Sequence, residues 1–286
     1  MDPQNPTAPI YRLRRDTEAS RGYEHILSQI IGVIADLELA SGLSHPSTIG
    51  IGTPGVVEPI TGSLKNSNTT CLNGRPLRDD LSLALKCDVV MANDANCFAL
   101  AEAMCGAGRN AEVVLGLILG TGVGGGIVIN GQVLNGHHGI AGEWGHNPLP
   151  WLGAGDLFSR GCWCGQHACL ETWLSGPGFA ADHAAHAGRI AQPPDIIAAM
   201  RSGEPQAQAS WNRYVDRLAR ALAQIINTMD PDAIVLGGGM SQIDELYTAI
   251  PPLLNRHTFT PAIHTPIRPA KHGDASGVRG AAWLAR

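Results

Sequence analysis

The sequence predicts an α/β protein, because short apolar strands alternate with amphipathic helices along its 286 residues. Three segments have the length and composition of buried strands, at 48–52, 88–92 and 113–119. Each runs into glycine or polar residues, and α/β proteins place their ligands at the carboxyl ends of parallel strands. The residues that follow these strands are therefore the first candidates for a functional site.

Hydrophobic periodicity and turn residues define the elements in order. The helix after Ser20 places apolar side chains three and four residues apart and ends at Ser41 and Gly42. The predicted elements are an edge strand at 11–15, a helix at 20–41, strands at 48–52 and 56–58, a helix at 77–85, a strand at 88–92 with a helix beginning at 93–94, a strand from 113 into a glycine-rich turn with a return strand from 127, helices at 175–187, 194–201 and 210–229, a strand at 230–236 that turns at 237–239 into another helix, and a last helix that opens at 271–280.

Composition and charge exclude several classes of function. The formal net charge is −5 and no run of basic residues stands out, so nucleic acids and anionic membranes are poor partners. No apolar stretch approaches the roughly 18 residues of a membrane span, and no signal-peptide pattern follows Met1, so we expect a cytoplasmic protein. Seven cysteines, an odd number, fit reduced thiols and a metal better than disulfides.

The most informative stretch holds three cysteines and one histidine with the residue types of a metal site. Cys162, Cys164 and Cys169 lie within eight residues of one another, and His146 precedes them by sixteen. Three thiolates and one imidazole complete a tetrahedral shell for Zn²⁺, which would hold a loop rather than perform chemistry. The alternative is that the cysteines are buried small apolar residues.

Two carboxylates flank this cluster and are candidates for binding a small polar ligand. Glu143 lies three residues before His146, and Glu171 lies two residues after Cys169. A metal that ties the loop together would also draw the two carboxylates into one small volume. The alternative is that both are solvated loop charges, since unpaired carboxylates are usually exposed.

Asn93 and Asp94 follow the strand at 88–92, where a helix begins, and are well placed for chemistry. Asp94 is also a residue type preferred as a helix N-cap, and both roles are compatible. Asn68 lies in a segment rich in amide and hydroxyl side chains, which can bind a polyol or simply build turns.

Glycine-rich segments follow two of the predicted strands. The segment at 119–126 lies between two strands, which excludes the dinucleotide-binding fingerprint because that motif requires a helix there. Its backbone N–H groups, around Thr121, Gly122 and Gly124, suit phosphate oxygens, although glycine-rich hairpins are common. Gly237 and Gly238 form the second glycine break at a strand end.

Taken together, these motifs resemble the ROK sugar kinases. The resemblance runs from about residue 11 to the end, and its wording is closest to the bacterial fructokinase (mannofructokinase) group. The segments that carry it are NDANC at 93–97, LGTGVGGG at 119–126, GEWGH at 142–146, CWCGQHACLE at 162–171 and IVLGGGMS at 234–241.

The resemblance implies a two-domain actin-like ATPase (ribonuclease H-like) fold that closes on a sugar and ATP. We expect a small N-terminal domain at 1–110, rejoined by the C-terminal helix at about 272–286. The large domain, at 111–271, would carry the zinc loop. A homodimer is implied as well.

The implied activity is phosphorylation of a hexose by ATP with Mg²⁺, with fructose giving fructose 6-phosphate as the expected reaction. Asp94 would be the general base that accepts the proton of the attacking hydroxyl. The other roles carried over are sugar binding by Asn93, Glu143, His146 and Glu171, zinc binding by His146, phosphate binding by Thr121 and Gly122, and adenosine binding by Gly237 and Gly238.

Two features depart from the family. Ala168 replaces the glycine usual before the last cysteine. The family also begins with a strand and a D-x-G-G-T phosphate motif, and none precedes Tyr11, so we expect an incomplete N-terminal sheet and weak activity of this 286-residue chain. The alternative is a zinc-containing sugar-binding protein without kinase activity. A transcriptional repressor would need a helix-turn-helix ahead of the kinase core.

Overall fold

A computed structural model describes residues 9–156 and 160–286 of the chain. Up to residue 105 the helices and strands are α1 (Tyr23–Ser41), β1 (Thr48–Thr53), β2 (Val56–Val57), β3 (Leu64–Lys65), α2 (Leu77–Leu85), β4 (Asp88–Asn93) and α3 (Asp94–Cys105). After residue 112 they are β5 (Val113–Leu119), β6 (Val123–Ile129), β7 (Gln132–Val133), α4 (Glu171–Leu174), α5 (Gly176–Ala187), α6 (Pro193–Arg201), α7 (Pro205–Met229), β8 (Ala233–Gly237), α8 (Leu246–Ala249), α9 (Pro251–Leu254), β9 (Ile267–Pro269) and α10 (Ser276–Leu284).

The strands form separate sheets on either side of two central helices. β1 pairs in parallel with β4, and β2 pairs with β3 in a short antiparallel hairpin. The larger sheet has the order β7-β6-β5-β8-β9, in which β5, β8 and β9 are parallel and β6 is antiparallel to β5. α3 packs on β5 and β6, while α10 packs on α3 and on β1. The helices α3 and α10 therefore join the sheets. The domain boundary expected at residue 110 stays a prediction.

Each sheet has its own apolar core. α1 and α2 bury Tyr23, Ile26 and Leu81 against the β1–β4 pair. One face of the larger sheet packs against α5, α6 and α7, whose stripe includes Leu218 and Leu222, both fully buried. Fully burying a leucine side chain stabilises the fold by about 1.5–3 kcal/mol.

The glycine-rich hairpin differs from the prediction in where its glycines lie. Gly124, Gly125 and Gly126 belong to β6, and the turn consists of residues 120–122. The reason is the close approach of α3, since a Cβ atom on Gly126 would lie 2.6 Å from the carbonyl oxygen of Ala95. Glycine is therefore needed in the strand itself.

Three other element predictions need correction. Residues 11–15 form no strand; Tyr11 and Leu13 are exposed and have no ladder partner in the part of the chain that the structure describes. The long helix begins at Pro205 rather than 210, because the Glu204 carboxylate caps it by accepting the N–H groups of Gln206 and Ala207. After Gly238 the chain forms a short 3₁₀ turn.

Most predicted elements are confirmed to within a few residues. α1 ends at Ser41 with Gly42 in the left-handed conformation, as its sequence indicates. The incomplete N-terminal sheet, which we expect from the missing D-x-G-G-T strand, stays a prediction. Within the described residues, no helix combines the length and apolar character needed to span a bilayer.

Candidate active site

The metal-ligand candidates converge in one loop. His146 ends a 3₁₀ turn, and the cysteines follow on a segment held by bridges between Pro148 and Cys169 and between Gly161 and His167. The four ligand atoms lie within 4.8 Å of one another. The structure thus brings together the four residues that the sequence predicts as ligands: His146, Cys162, Cys164 and Cys169.

The spacing of these atoms fits a tetrahedral zinc shell. Cys162 Sγ lies 3.6 Å from His146 Nδ1, and Cys164 Sγ lies 3.7 Å from Cys169 Sγ. A zinc–sulfur bond of about 2.3 Å implies ligand atoms about 3.8 Å apart. Burial raises the pKa of the Cys169 thiol to about 12, and a bound cation would offset that cost of ionisation.

Ala168 occupies a strained position in this loop. Its φ is +58°, in the left-handed region that favours glycine. The departure from the family's glycine therefore places an ordinary residue where the backbone turns sharply between two bridges.

Glu171 joins the metal loop to the glycine-rich hairpin. It is the first residue of α4, and its Oε2 accepts the N–H of Val123 at 3.0 Å. Its Oε1 lies 3.8 Å from Cys162 Sγ. A Cβ atom on Gly122 would lie 2.7 Å from Oε2, so a larger residue there would displace this carboxylate from the hairpin.

Glu143 lies within electrostatic reach of both other acids. Burial raises the pKa of its carboxyl, His146 lowers it, and the charges of Asp94 and Glu171 raise it further. The three carboxylates therefore share one region. Such a group of carboxylates can bind hydroxyl hydrogens, which are the donors that a sugar offers.

Asp94 opens α3 at the end of β4. Asn93 is the N-cap, and its Oδ1 accepts the N–H of Ala95 at 2.8 Å, as does Oδ1 of Asp94. Among the described residues, no cationic side chain contributes to the pKa shift of Asp94. The Asp94 side chain reaches solvent, yet neighbouring atoms partly desolvate its carboxylate and raise its pKa, which the backbone N–H groups of Ala95 and Asp94 partly offset.

Asn68 lies near this group on a neighbouring loop. The Asn93 amide donates to the carbonyl of Gly55 at 3.4 Å, and Gly55 packs against the backbone of Ser67. Asn68 is exposed, with no hydrogen-bond partner for its amide among the described residues. It is thus available to a ligand, and its predicted role stays a prediction.

A cavity of about 880 Å³ lies against the hairpin turn. Gly120 and Thr121 line it together with residues of α5, α6 and the turn after β8. Its lining does not include Gly122, Gly124, Gly237 or Gly238. Gly124 packs against Ala95 and Gly237 is buried against Phe98, so the roles predicted for these glycines stay predictions.

Sequence reasoning missed most of this cavity. Its apolar walls come from Pro177, Ile197 and Met240, which belong to separate elements. The proline pair at the start of α6 marks a helix start, but nothing in the sequence shows that this end faces the hairpin.

A buried ion network behind the site was also missed. Arg217 donates to Asp156 and to Asp182, both at 2.7 Å, and Arg220 donates to Asp156 at 2.9 Å. Arg213 also pairs with Asp182 at 2.7 Å. This network fixes the segment that leads into the metal loop against α5 and α7.

Comparison with known proteins gives consistent matches. The chain matches the ROK family over residues 10–286. It is 42% identical over 267 residues to an N-acetyl-D-glucosamine kinase of Escherichia coli, covering 92% of this chain and 87% of the relative. A ROK hexokinase from Thermus thermophilus is 28% identical with a TM-score of 0.82, covering 96% of this chain and 88% of that one.

A ROK glucokinase from Streptomyces griseus, solved with glucose and AMPPNP, is 29% identical with a TM-score of 0.71, covering 93% of this chain and 88% of that one. These similarities confirm the α/β actin-like ATPase fold. Together with the match over nearly the whole chain, they show that this protein belongs to the ROK family.

Proposed function

We propose that the protein is an ATP-dependent kinase that phosphorylates a hydroxyl of N-acetyl-D-glucosamine. The observation that carries the proposal is the position of Asp94. It lies within electrostatic reach of Glu143, Glu171 contacts the glycine-rich hairpin, and the turn of that hairpin lines the large cavity. A base and a nucleotide-sized cavity next to the same hairpin suit phosphoryl transfer.

The sugar assignment rests on the relatives. The Escherichia coli relative, at 42% identity, is an N-acetyl-D-glucosamine kinase. Fructose, the sugar expected from the sequence, is supported by none of the three relatives described above. The preference for N-acetyl-D-glucosamine over another hexose therefore follows this relative, and the experiment below tests the fructose prediction against it.

Asp94 would accept the proton of the attacking hydroxyl on Oδ2, since Oδ1 is already engaged by the Ala95 N–H. Its raised pKa makes it a stronger base than an ordinary aspartate. Asn93, Glu143, His146 and Glu171 would bind the other hydroxyls.

Zn²⁺ would hold His146 and the loop that positions Glu171, without an open coordination position for substrate. Mg²⁺ would accompany the nucleotide and would neutralise charge on the phosphates. The backbone of Gly120 and Thr121, which line the cavity, would face those phosphates.

The test measures ADP release by zinc-loaded protein with MgATP and each of N-acetyl-D-glucosamine, fructose, glucose and mannose. We expect the highest kcat/KM with N-acetyl-D-glucosamine, and ATP hydrolysis without sugar serves as the blank. A higher kcat/KM with fructose would overturn the sugar assignment. Calorimetric sugar binding with no ADP release would identify a sugar-binding protein instead.

A further inference from the structure

One face of α6 lines the large cavity beside the glycine-rich hairpin. Pro193, Ile197 and Arg201 are spaced four residues apart, and all three line the cavity. Residues four apart lie above one another on the same face of an α-helix. This face therefore follows the cavity from the first residue of α6 to the last.

The start of this helix face lies close to the hairpin turn. A Cβ atom on Gly176 would lie 3.5 Å from the carbonyl oxygen of Gly120 and 3.6 Å from Cγ of Pro193. Sδ of Met240 lies 3.9 Å from the same point. The hairpin turn, the start of α6 and the segment after β8 therefore converge beside the backbone to which the proposed function assigns the phosphates.

Arg201 lies further along the same helix face. Eight residues separate it from Pro193, which corresponds to about 12 Å at a rise of about 1.5 Å per residue. That separation is comparable with the length of an extended nucleoside triphosphate. A nucleotide whose phosphates face the hairpin turn, as the proposed kinase function requires, can therefore bring its nucleoside part next to Arg201.

A carboxylate on a neighbouring element holds the Arg201 guanidinium. Nε donates to Oε1 of Glu245 at 2.7 Å, and Nη2 donates to Oε2 at 2.9 Å. Glu245 directly precedes α8, so the pair joins the end of α6 to the segment after β8. The pairing lowers the pKa of Glu245 to about 2, which keeps the carboxylate charged. Two parallel hydrogen bonds also fix the plane of the guanidinium.

The pair with Glu245 leaves one nitrogen of Arg201 available to a ligand. Nη1 takes no part in the pair and carries two of the five N–H donors of a guanidinium. Among the described residues that line the cavity, Arg201 has the only charged side chain. A guanidinium donates and cannot accept, so it suits the ring nitrogens of a base and the oxygens of a ribose.

We propose that Arg201 is a nucleotide-binding residue whose Nη1 donates to the nucleoside part of the triphosphate, and that Glu245 is the positioning residue that holds it. This assignment rests on the proposed kinase function, because that function gives the cavity its nucleotide. Lysine cannot replace Arg201 here, since an ammonium lacks the planar fork that pairs with a carboxylate on one side and donates on another.

The experiment measures the Kd of MgADP for the zinc-loaded protein by calorimetry, and the Kd of adenosine by its displacement of MgADP. We expect Arg201→Met to raise both Kd values by the same factor, about 10-fold or more, because a hydrogen bond from a charged donor is lost. A rise confined to MgADP would indicate a phosphate contact and would overturn the proposal. Unchanged Kd values would identify a surface ion pair without a ligand and would also overturn it.

Three further variants sharpen the assignment. Arg78→Met is the matched control, because its 2.8 Å pair with Asp79 is similarly exposed and lies outside the cavity lining, so both Kd values should stay unchanged. Arg201→Lys should bind as weakly as Arg201→Met. Glu245→Gln should raise both Kd values by a smaller factor, at unchanged Tm and unchanged Kd for N-acetyl-D-glucosamine. Unchanged nucleotide binding in Glu245→Gln would overturn the positioning role.

Turnover separates this contact from the chemical step. At saturating N-acetyl-D-glucosamine, Arg201→Met should raise the KM for MgATP and leave kcat unchanged, because a nucleoside contact is equally strong in the ground state and the transition state. A fall in kcat at unchanged KM would contradict the proposal. Absence of ADP release with every sugar would defeat the proposed function, whereas the calorimetric Kd values would still decide the role of Arg201.

Discussion

Asp156 and Asp182 are almost fully buried, and arginine side chains satisfy both carboxylates. Burial alone would raise the pKa of each carboxyl, but hydrogen bonds outweigh burial and lower it. Asp156 accepts from the Gly153 N–H, Arg217 and Arg220. Asp182 accepts from Arg213 and Arg217. In the cleft, burial also raises the pKa of Asp94 and Glu143, and no arginine offsets it among the causes of either shift.

The difference separates the acids that hold the fold together from the acids to which the proposed function assigns a ligand. A paired carboxylate is stabilised in its charged form and cannot readily accept a proton. An unpaired carboxylate in a desolvated cleft stays basic and has free lone pairs for hydroxyl donors. An unpaired, desolvated carboxylate destabilises the protein without ligand, and a bound sugar would remove that energetic cost.

The largest expected effect comes from Asp94→Asn. Removing the proposed base should lower kcat by about 10²–10⁴-fold, because a positioned base contributes that much to proton transfer. Sugar affinity, measured by calorimetry, should change little, since the amide can still accept a hydroxyl hydrogen. Retained turnover would remove Asp94 from the mechanism.

Arg217→Met should disrupt the buried ion network. It leaves Asp156 and Asp182 short of a partner, and removing one side of a buried ion pair costs about 3–5 kcal/mol. The expected drop in Tm is on the order of 10 °C. Arg201→Met is the matched control, because its pair with Glu245 is about half exposed and should be worth about 1 kcal/mol or less. Equal Tm changes in the two variants would contradict the contrast.

Cys164→Ser should loosen the loop that positions Glu143 and Glu171 without changing the buried ion network. The variant should bind zinc less than stoichiometrically by metal analysis and should lower both kcat/KM and Tm, with an activity loss of about 10–100-fold. Cys71→Ser, at a thiol outside the cluster, is the control. Full activity with no bound zinc would show that the metal does not position the site.

The smallest expected effect is the pH dependence of stability. The pKa of Asp94 is raised in the fold, so its charge destabilises the folded state above that pKa, and the penalty vanishes below the unfolded value of about 3.9. Asp94→Asn should therefore raise Tm at pH 7, on the order of 1 °C, and leave it unchanged below about pH 4.

Asp156 and Asp182 should contribute a pH dependence of stability with the opposite sign to that of Asp94. Their lowered pKa values give stability that is present above about pH 4 and lost as the pH falls through the folded values. In acid, the drop in Tm caused by Arg217→Met should therefore become smaller, and the rise in Tm caused by Asp94→Asn should disappear. Thermal scans of the unsubstituted protein and of these two variants from pH 3 to 8 check both signs.

Sequence patterns predicted much of the site because its chemistry is local. Cys162, Cys164 and Cys169 are close in the chain, and their spacing alone indicates a metal loop. Asp94 was predicted because a polar pair follows an apolar strand, which is a local signal, and its role stays a prediction. The strand predicted at 11–15 was wrong because pairing needs a neighbour that no local pattern reveals.

By itself, the sequence determined the alternation of strands and helices, the cluster of three cysteines and one histidine, and the strand-end aspartate, since each depends on residues near one another in the chain. Only the tertiary structure decided which acids are paired. Asp156 lies 61 residues from Arg217, and nothing local distinguishes it from Asp94. Likewise, only packing brought the prolines of α6 opposite the hairpin turn, because a cavity is defined by side chains from separate elements and not by any one segment.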